Sequence, residues 1–555
     1  MKKIIVGIFL FISAKDLIAQ AEPFSKRTVV SGLNSAWEVL YGPNDSLWVT
    51  ENKDYLISRI NIATGTKTLL VDLRATDGTI NFPSNVVNPP QGGLIGLAIH
   101  PNLYSSDPSV RAAKPWVYAA YVYNKGSCPG TNTSCIYTTK IVRFTYSGNS
   151  LSSPVTIINT IPGSSDHNSG RLVFSPGIEP GADAAHTQYR LYYTVGDMGA
   201  GQFLNTTRTM NAQNVDVMEG KVLRLNSESD ADAGQDAWIP NDNPFFDGAP
   251  VTPKDYVFTL GHRNAQGLAW GNVAGNDILY STEQMDRTDD EVNIIEAGRN
   301  YGWDKVSGYC DGNVNGYRIG QTLSANEQAF CSVTPGHKDP MFTTFTETAA
   351  NMAALYAQSN NALWPTIASS SIDFYGQNQI PGWNNSLFIT PLKQDKVYRI
   401  KLNASGTGIT GDTISYFRGD GNRIRRIRID PTGLKFYVAR DASAAINGGA
   451  IMEYTYTGII LALNDNLGVR PVRVKDMIRI YPNPTANILY VHGKKELRKP
   501  LLVQLCDVYG RVLKEETSFR NDFSVDVSFF RPGTYLLKLY NGYDREVQIE
   551  KFIKK

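Results

Sequence analysis

Residues 37–51 read Trp-Glu-Val-Leu-Tyr-Gly-Pro-Asn-Asp-Ser-Leu-Trp-Val-Thr-Glu: an apolar strand, a turn, and a second apolar strand that ends at an acid. Apolar and aromatic runs on either side of Pro, Asn and Asp predict a β-hairpin. Related patterns recur at residues 93–123, 170–197, 267–283, 372–393 and 427–441. Shorter segments with a closing turn lie between them. Such repetition predicts an all-β fold, a six-bladed β-propeller of four-stranded blades, with an irregular array of β-sandwiches as the alternative.

The composition limits the classes of protein to consider. The chain has 555 residues, enough for two or more domains. It contains 48 Gly, 29 Tyr and 22 Phe, a mixture that favours strands and turns over long helices. The formal net charge is only +2, so a nucleic-acid partner is not indicated. Every apolar run is too short to span a bilayer, and we expect no membrane-spanning segment.

The N-terminus has the pattern of a secretory signal peptide over residues 1–20. Met1-Lys2-Lys3 is a charged start, residues 4–14 are mostly apolar, and Ala19 is a small residue near a cleavage position. The sequence therefore predicts export.

Export permits disulfide bonds. Cys128 and Cys135 bracket a loop with Pro and Gly, and they predict a closed hairpin; Cys310 and Cys331 predict a second pair. Cys506 is left over and is expected to lie buried in a strand. The sequence contains no paired Cys-x-x-Cys, His-x-His or His-Glu-x-x-His spacing of a zinc site.

The last 80 residues differ in character from the rest. Residues 459–475 are predicted to be a linker, and alternating apolar strands with Gly and Pro turns over 476–555 predict a small β-sandwich. This segment resembles the C-terminal sorting domain of the type IX secretion system in its Tyr-Pro-Asn-Pro motif (481–484), its Asp-x-x-Gly-Arg motif (507–511) and its Pro-Gly-Thr-Tyr motif (532–535). The resemblance implies an export address read by the secretion machinery; an accessory carbohydrate-binding sandwich is the alternative.

The main segment, residues 25–458, carries a series of motifs in a characteristic order. The motifs are Gln-Gly-Gly-Leu-Ile-Gly (91–96), Asp-His-Asn-Ser-Gly-Arg-Leu (166–172), Val-Gly-Asp-Met-Gly (195–199), Thr-Leu-Gly-His-Arg-Asn-Ala-Gln-Gly-Leu (259–268), Asp-Asp-Glu-Val-Asn (289–293), Asn-Tyr-Gly-Trp (300–303), Trp-Pro-Thr (364–366), Pro-Leu-Lys (391–393) and Asn-Arg-Ile-Arg (422–425). With these motifs the segment resembles the soluble quinoprotein glucose dehydrogenase family, whose members bind pyrroloquinoline quinone (PQQ) on a six-bladed propeller.

The Asp166-His167 pair is the candidate catalytic centre. A neutral imidazole accepts a proton near pH 7, and a neighbouring carboxylate can orient it. The resemblance implies that His167 is the general base for a sugar's anomeric hydroxyl while a hydride passes from C1 to the quinone. It also implies that Asp166 orients the imidazole and that Arg263 stabilises charge growing on the quinone oxygen.

Three cationic residues are candidates for holding the three carboxylates of PQQ: Lys393, Arg423 and Arg425. Alternation along a strand would put the two arginines on one face, although the run could equally be a solvated surface. The resemblance adds Asn264 and Thr366 as cofactor contacts. It also implies that Gln91, Gln202 and Trp364 border the substrate, and a blade-core role is the alternative for the tryptophan.

The resemblance further implies a calcium ion held by PQQ and by two consecutive backbone carbonyls, at Met285 and Asp286. Here the chain departs from the family's usual Gly-Pro, which puts the loop geometry in question and offers the Asp286 carboxylate as a further oxygen ligand.

The substrate rim also departs from the family. Asn361 stands where well-known members carry an aromatic residue, residues 304–362 align poorly, and residues 177–188 form an insertion. We therefore expect a secreted or surface-bound, PQQ- and calcium-dependent enzyme that oxidises an aldose at C1 to the lactone and passes electrons to an external acceptor. Oxidation of another sugar or alcohol, sorbosone-like or oligosaccharide, is the nearest alternative, and a non-catalytic binding propeller or a lactonase-type calcium propeller the more distant ones. Whether the protein forms a homodimer is left open.

Overall fold

The computed structural model describes residues 23–82, 92–124, 137–179, 187–202, 205–230, 237–248, 250–320, 322–411, 413–419, 421, 423–441, 447–458, 478–494, 501–507, 512–541 and 547–555. Strands make up 48% of the structure and helices 8%, so the predicted all-β class is confirmed. The predicted signal peptide, the Cys128–Cys135 hairpin, Gln91 and the linker over 459–475 lie outside the described residues.

The strands of the main segment form six antiparallel four-stranded sheets among the described residues. The N-terminal strand β1 (Phe24–Leu33) precedes the first sheet, which consists of β2 (Ala36–Gly42), β3 (Ser46–Glu51), β4 (Leu56–Asn61) and β5 (Lys67–Asp72). The second sheet consists of β6 (Leu94–Ile99), β7 (Trp116–Asn124), β8 (Tyr137–Tyr146) and β9 (Leu151–Pro162). The third consists of β10 (Leu172–Phe174), β11 (Arg190–Val195), β12 (Lys221–Asn226) and β13 (Val257–Leu260).

The fourth sheet carries an insertion. It contains β14 (Asn264–Val273), β15 (Asn276–Gln284) and β16 (Asp290–Ile294), then a two-stranded hairpin of β17 (Arg318–Ile319) and β18 (Thr322–Leu323), and finally its edge strand β19 (Phe342–Thr344). The fifth sheet consists of β20 (Ser369–Tyr375), β21 (Ser386–Pro391), β22 (Val397–Lys401) and β23 (Ile414–Tyr416). The sixth consists of β24 (Arg423–Ile429), β25 (Lys435–Asp441) and β26 (Gly449–Tyr456), and β1 pairs with β26 from Phe24–Tyr456 to Leu33–Gly449.

Helices are short and lie between the sheets. They are α1 (Leu73–Thr76), α2 (Pro108–Ala113), α3 (Glu327–Val333) and α4 (Ala349–Ala357), with 3-10 turns at Pro101–Tyr104, Pro253–Tyr256 and Asn361–Leu363. In the described part of the chain, no helix is both long enough and apolar enough to cross a membrane. The predicted disulfide between Cys310 and Cys331 is present, and it closes the loop that contains the β17–β18 hairpin.

The hairpin quoted from the sequence forms between β2 and β3. Asn44 and Asp45 both adopt positive φ, 59° and 49°, as the tight turn of a two-stranded hairpin requires. Nearly every residue of both strands is buried. Strands of this kind lie with packed side chains on both faces, which explains why the sequence shows continuous apolar runs instead of strict alternation.

The sheets contact one another through one end strand of each. β2 contacts β6, β6 contacts β10, β10 contacts β14, β14 contacts β20, β20 contacts β24, and β24 contacts β2 again. A buried ion cluster crosses this ring: Glu38 of β2 accepts hydrogen bonds from Arg171, just before β10, and from Arg426 of β24, 2.7 Å away. All three side chains are almost fully buried, so the cluster ties the first, third and sixth sheets together.

The C-terminal segment forms two further sheets. One contains β27 (Ile478–Tyr481), β28 (Ile488–Gly493) and β31 (Asp522–Asp526), and the other contains β29 (Leu501–Asp507), β30 (Val512–Ser518), β32 (Gly533–Asn541) and β33 (Val547–Lys554). Buried residues of both sheets, such as Leu489 and Leu537, form one apolar cluster. Cys506 lies buried in β29, as expected from the sequence.

Candidate active site

A cavity of about 670 Å³ opens where loops from the third, fourth, fifth and sixth sheets meet. His167 precedes β10, Arg263 lies between β13 and β14, and Arg423 begins β24. The walls combine aspartates, arginines, a lysine and aromatic rings: Asp166, His167, Asp197, Gln202, Arg263, Gln284, Met285, Asp286, Arg287, Asp290, Trp303, Arg318, Tyr356, Asn361, Trp364, Thr366, Lys393 and Arg423 are among the lining residues.

His167 is oriented by an acid that is not its neighbour in sequence. Its Nδ1 lies 2.8 Å from Oδ1 of Asp197, whereas the nearest ring contact of Asp166 is 3.9 Å, between Oδ2 and Nε2. Asp166 instead accepts the backbone N–H of His167. The φ of His167 is +48°, in the left-handed region. In this geometry Asp197, and not the Asp166 that the sequence predicted, is in hydrogen-bond contact with the imidazole ring.

Asp197 is itself held rigidly at the end of β11. Its Oδ1 also accepts the N–H of Gly199 at 2.9 Å, and its Oδ2 accepts the indole N–H of Trp303 at 2.9 Å. Gly196 lets the backbone after β11 lie close to the His167 carbonyl, because a Cβ at position 196 would lie 1.9 Å from that oxygen. The sequence pattern identified the 195–199 motif but gave Asp197 no role. Its position two residues after a buried strand, in a loop, was the feature that could have indicated a functional acid.

The amide of Gln202 covers the reactive nitrogen of the histidine. Its Nε2 lies 2.7 Å from Nε2 of His167 and 2.8 Å from Oδ2 of Asp166, so its two N–H groups can donate to both. This arrangement requires an acceptor at Nε2 and thus a proton on Nδ1, facing Asp197. His167 is consequently presented as a base at Nε2, and a hydroxyl group that replaced the amide would meet that nitrogen.

Arg263 joins the histidine side of the cavity to the loop after β15. Its Nη2 donates to Oε1 of Gln202 at 3.1 Å, and its Nη1 donates to the carbonyls of Gln284 at 3.0 Å and Met285 at 2.7 Å. The guanidinium lies over the ring of Trp303, 5.2 Å from the centroid. Its Nε is buried and has no hydrogen-bond partner among the described residues. The cation is thus fixed at the cavity wall before any ligand enters.

The predicted metal ligands Met285 and Asp286 lie in the cavity wall. The carbonyl of Met285 accepts from Arg263, which leaves its second lone pair available. The Asp286 carboxylate lies 3.9 Å from Nη2 of Arg263 and 3.8 Å from Nε of Arg287. Carbonyl and carboxylate oxygens are the ligands that calcium prefers, so the donor set fits that ion.

Asp290 holds this loop in place through hydrogen bonds to the backbone. Its Oδ1 accepts the N–H of Met285, and its Oδ2 accepts the N–H groups of Ile367 and Ala368 at 2.8 and 2.7 Å. Burial raises the pKa of the Asp290 carboxyl to about 6, although these three hydrogen bonds favour the ionised form. The carboxyl thereby connects the loop after β15 to the segment that precedes β20.

Two of the predicted cofactor cations differ in how they are bonded. Lys393 donates to the carbonyls of Trp364 and Asn361 and to the hydroxyl of Thr366, at 2.6, 2.9 and 3.0 Å. Desolvation lowers the pKa of Lys393. Arg423 has no ion pair within the described residues, and its buried Nε lacks a hydrogen-bond partner. An unpaired guanidinium at a cavity wall is suited to a carboxylate of a ligand.

Arg425 and Asn264 do not line this cavity. Arg425 lies in an adjoining cavity of about 160 Å³, where it donates to Gln266 at 2.9 Å and pairs with Asp441 at 3.3 Å. Asn264 is fully buried at the start of β14 and donates to Oε1 of Gln284 at 3.0 Å. Arg423 lines this smaller cavity as well as the large one, so the two arginines of β24 face the same space, and the register shift of the strand falls between Ile424 and Arg426. A direct contact of Arg425 or Asn264 with the cofactor stays a prediction.

The rim of the cavity is formed by the insertion of the fourth sheet and by the segment between β19 and β20. Trp364 donates its indole N–H to the carbonyl of Gln358 at 2.8 Å, and its ring contacts the guanidinium of Arg287 at 4.9 Å. Asn361 and Arg318 are exposed at the edge. Trp364 thus belongs to the cavity wall and not to the interior of a sheet pair.

The antiparallel sheets surround a cavity that combines a histidine oriented by a carboxylate with fixed cations, the groups that an enzyme needs to remove a proton beside an anionic ligand. Residues 33–448 match the glucose/sorbosone dehydrogenase model, and the chain belongs to this family. Residues 479–555 match a secretion system C-terminal sorting domain.

Individual relatives agree with this assignment. Quinoprotein glucose dehydrogenase B of Acinetobacter calcoaceticus is 30% identical over 487 residues, which cover 79% of this chain and 92% of that protein. The PQQ-bound aldose sugar dehydrogenase of Streptomyces coelicolor is 25% identical with a TM-score of 0.52, over 78% of this chain and 98% of the other. The apo aldose sugar dehydrogenase of Escherichia coli, 20% identical with a TM-score of 0.53 over 78% and 99% of the two chains, has a similar fold.

Proposed function

We propose that this chain is an exported PQQ- and calcium-dependent dehydrogenase that oxidises the C1 hydroxyl of an aldose to the lactone. The observation that carries the proposal is the His167–Asp197 pair, which presents an unprotonated Nε2 to a cavity that also contains Arg423, a guanidinium without an ion pair among the residues that the structure describes. A base and a carboxylate-binding cation in one cavity suit a hydroxyl substrate beside an acidic cofactor.

The proposal includes the architecture. The main segment, residues 25–458, is a six-bladed propeller, and residues 476–555 are a β-sandwich sorting domain. Support comes from the closed series of contacts between the end strands of successive sheets and from the pairing of β1 with β26, which joins the two ends of the segment. The apolar cluster shared by the two C-terminal sheets supports the sandwich.

The residues present suit PQQ by charge. Its three carboxylates need fixed cations, and Lys393 and Arg423 supply them at the wall of the large cavity, with Arg425 beside Arg423 in the adjoining one. Thr366 lies beside Lys393, while Asn264 would act through Gln284. When bound, PQQ supplies an ortho-quinone that accepts two electrons. Calcium would take the oxygens of Met285 and Asp286.

The chain's own residues then perform the proton chemistry. The substrate hydroxyl replaces the Gln202 amide and donates to Nε2 of His167, which removes the proton. Asp197 keeps the other ring proton on Nδ1 and stabilises the imidazolium that forms. Arg263 is positioned to stabilise negative charge at the reacting centre because it is already desolvated and fixed.

The biological setting follows from the two ends of the chain. The sorting domain supports delivery across the outer membrane to the surface or the medium through the type IX machinery, and the N-terminal pattern over residues 1–20 supports entry to the periplasm. An external acceptor would remove the electrons. Glucose is not singled out among aldoses, since the rim is built by residues that include Asn361 and Tyr356.

The test is reconstitution of the full-length purified protein. Adding PQQ and CaCl₂ is expected to produce a quinone absorption band that an aldose from a panel of D-glucose, D-galactose, D-mannose and D-xylose bleaches. His167→Ala is expected to bind PQQ normally and to lose about 10²–10⁴-fold in turnover. His492→Ala is the matched control, because this exposed histidine pairs only with Asp522 in the C-terminal segment. Failure of the wild-type protein to bind PQQ would contradict the proposal.

A further inference from the structure

The wall of the large cavity contains a tyrosine that the proposed proton chemistry does not use. Tyr356, near the end of α4, lines this cavity, and its hydroxyl has no hydrogen-bond partner among the described residues. Three buried tyrosines elsewhere, Tyr55, Tyr118 and Tyr301, each donate to a backbone carbonyl. A polar group left free on a largely buried ring at a cavity wall is the pattern of a ligand-binding tyrosine.

The ring of Tyr356 is held in place from several directions. Tyr317 stacks on it with centroids 4.8 Å apart and planes inclined by 26°. The guanidinium of Arg287 lies over the ring at 4.6 Å and its Nη1 donates to the carbonyl of Tyr356 at 2.8 Å. The same guanidinium contacts the ring of Trp364 at 4.9 Å. Tyr317, Tyr356, Arg287 and Trp364 thus form a continuous stacked column along the rim.

The column is anchored at both ends. Tyr317 lies inside the loop that the Cys310–Cys331 disulfide closes. At the other end, the carbonyl of Trp364 accepts from Lys393 at 2.6 Å. A side chain fixed in this way loses little further conformational freedom when a ligand binds, so its hydrogen bond contributes more of its energy to affinity.

We propose that Tyr356 is a sugar-binding and specificity-determining residue: its hydroxyl bonds a ring hydroxyl of the aldose other than the one at C1, and the stacked column pre-positions it. The inference rests on the proposed function, in which His167 takes the C1 hydroxyl. Burial raises the pKa of the Tyr356 phenol above its ordinary value, which keeps it protonated as a donor at any working pH. Tyr356 selects among aldoses by the position and configuration of one hydroxyl, because a site built to bond a hydroxyl discriminates against an analogue that lacks it.

The first experiment removes only the hydroxyl. Tyr356→Phe is compared with the wild-type protein, both reconstituted with PQQ and CaCl₂, on the panel aldose oxidised fastest and on its monodeoxy analogues. The loss of one hydrogen bond is expected to lower kcat/KM for the parent sugar by about 2- to 13-fold. For the one analogue that lacks the bonded hydroxyl, the two proteins are expected to have equal kcat/KM. Equal loss on every analogue, or no loss on the parent sugar, would overturn the assignment.

A second variant tests the column. Arg287→Lys keeps the charge but loses the planar group that contacts two rings. It is expected to raise KM for the same aldose severalfold with little change in kcat, and to reduce the additional effect of Tyr356→Phe in the double variant. If the effects of the two substitutions on kcat/KM add fully in the double variant, the claim that Arg287 positions Tyr356 is wrong. Tyr309→Phe is the matched control, since Tyr309 adjoins the disulfide but does not line the cavity.

The outcomes separate this inference from the function on which it rests. PQQ affinity, followed by the absorption band, is expected to be the same in Tyr356→Phe as in the wild-type protein, with an unchanged Tm. A wild-type protein that binds PQQ and oxidises an aldose while Tyr356→Phe behaves identically rejects the role of Tyr356 alone. A wild-type protein that oxidises no aldose rejects both.

Discussion

Replacing Asp197 with asparagine is the sharpest test of the proposed proton chemistry. The carboxylate has two oxygens and each faces a donor: Oδ1 meets Nδ1 of His167 and the N–H of Gly199, and Oδ2 meets the indole N–H of Trp303. An amide in the same place must turn its NH₂ group toward one of these donors. If that group faces His167, it donates to Nδ1 and moves the ring proton to Nε2, where a base must be unprotonated.

The size of the effect can be estimated from this geometry. A buried hydrogen bond to a charged group contributes about 1.5–3 kcal/mol, so losing the stabilisation of the imidazolium alone lowers the rate about 10- to 100-fold. Loss of the correct tautomer adds to this, and a general base is worth about 10²–10⁴-fold in all. Asp197→Asn is therefore expected to lower kcat by about 10²–10⁴-fold. Asp166→Asn leaves the Asp197 contact intact and is expected to cost much less.

The assay compares the two variants side by side. Reduction of an artificial electron acceptor under saturating aldose gives kcat, the PQQ absorption band gives cofactor affinity, and Tm reports folding. Both variants are expected to bind PQQ as the wild-type protein does. A kcat for Asp197→Asn within threefold of wild type, or a larger loss in Asp166→Asn, would refute the reasoning from the His167–Asp197 distance.

Three further predictions follow from residues outside the catalytic pair. Arg423→Ala is expected to weaken PQQ binding by about 30-fold or more in an absorption titration with an unchanged Tm, because a desolvated cation that pairs with a carboxylate is worth at least about 2 kcal/mol; unchanged affinity would remove Arg423 from the cofactor site. Glu38→Gln leaves Arg171 and Arg426 buried without a counter-charge and is expected to lower the free energy of unfolding in urea by about 3–5 kcal/mol; a loss below 1 kcal/mol would contradict the assigned role of the cluster. Burial lowers the pKa of His100 to about 3, so the unfolded chain binds a proton below pH ~6.5 that the folded chain does not. As the pH decreases from ~6.5 toward 3, this residue is expected to lower the free energy of unfolding by up to about 1.4 kcal/mol per pH unit. The slope is expected to disappear in His100→Asn.

Much of the fold could be predicted from the sequence because its signal is local. Apolar runs of strand length, turn residues such as Asn44 and Asp45, and the repetition of this unit are properties of short segments, and the all-β class follows from them. The Cys310–Cys331 pair could be predicted from export and from counting cysteines. The insertion of the fourth sheet, with α3 and the β17–β18 hairpin, and helix α4 after β19 could not, because these segments have no repeated pattern to compare with.

Part of the candidate site could be predicted from the sequence. His167, Arg263, Lys393 and Arg423 share one cavity, and motif order along the chain was sufficient to select them. Arg425 was expected on the same face as Arg423, and both line the smaller adjoining cavity. The contact between His167 and Asp197 could not be predicted, because it depends on how two loops that are distant in sequence approach each other.

The sequence by itself determined the class of fold, the family and the residue types that the chemistry requires, since motifs and strand patterns are written in consecutive residues. The tertiary structure alone decided which of these residues act together. Asp166 is adjacent to His167 in the chain, yet Asp197, thirty positions away, holds the imidazole. Tyr356 of α4 and Arg287 of the loop between β15 and β16 meet at the rim although they are far apart in sequence. The reason is geometric: loops from several sheets converge on one cavity, so contact distance there is set by sheet packing and backbone torsion, and not by separation in sequence.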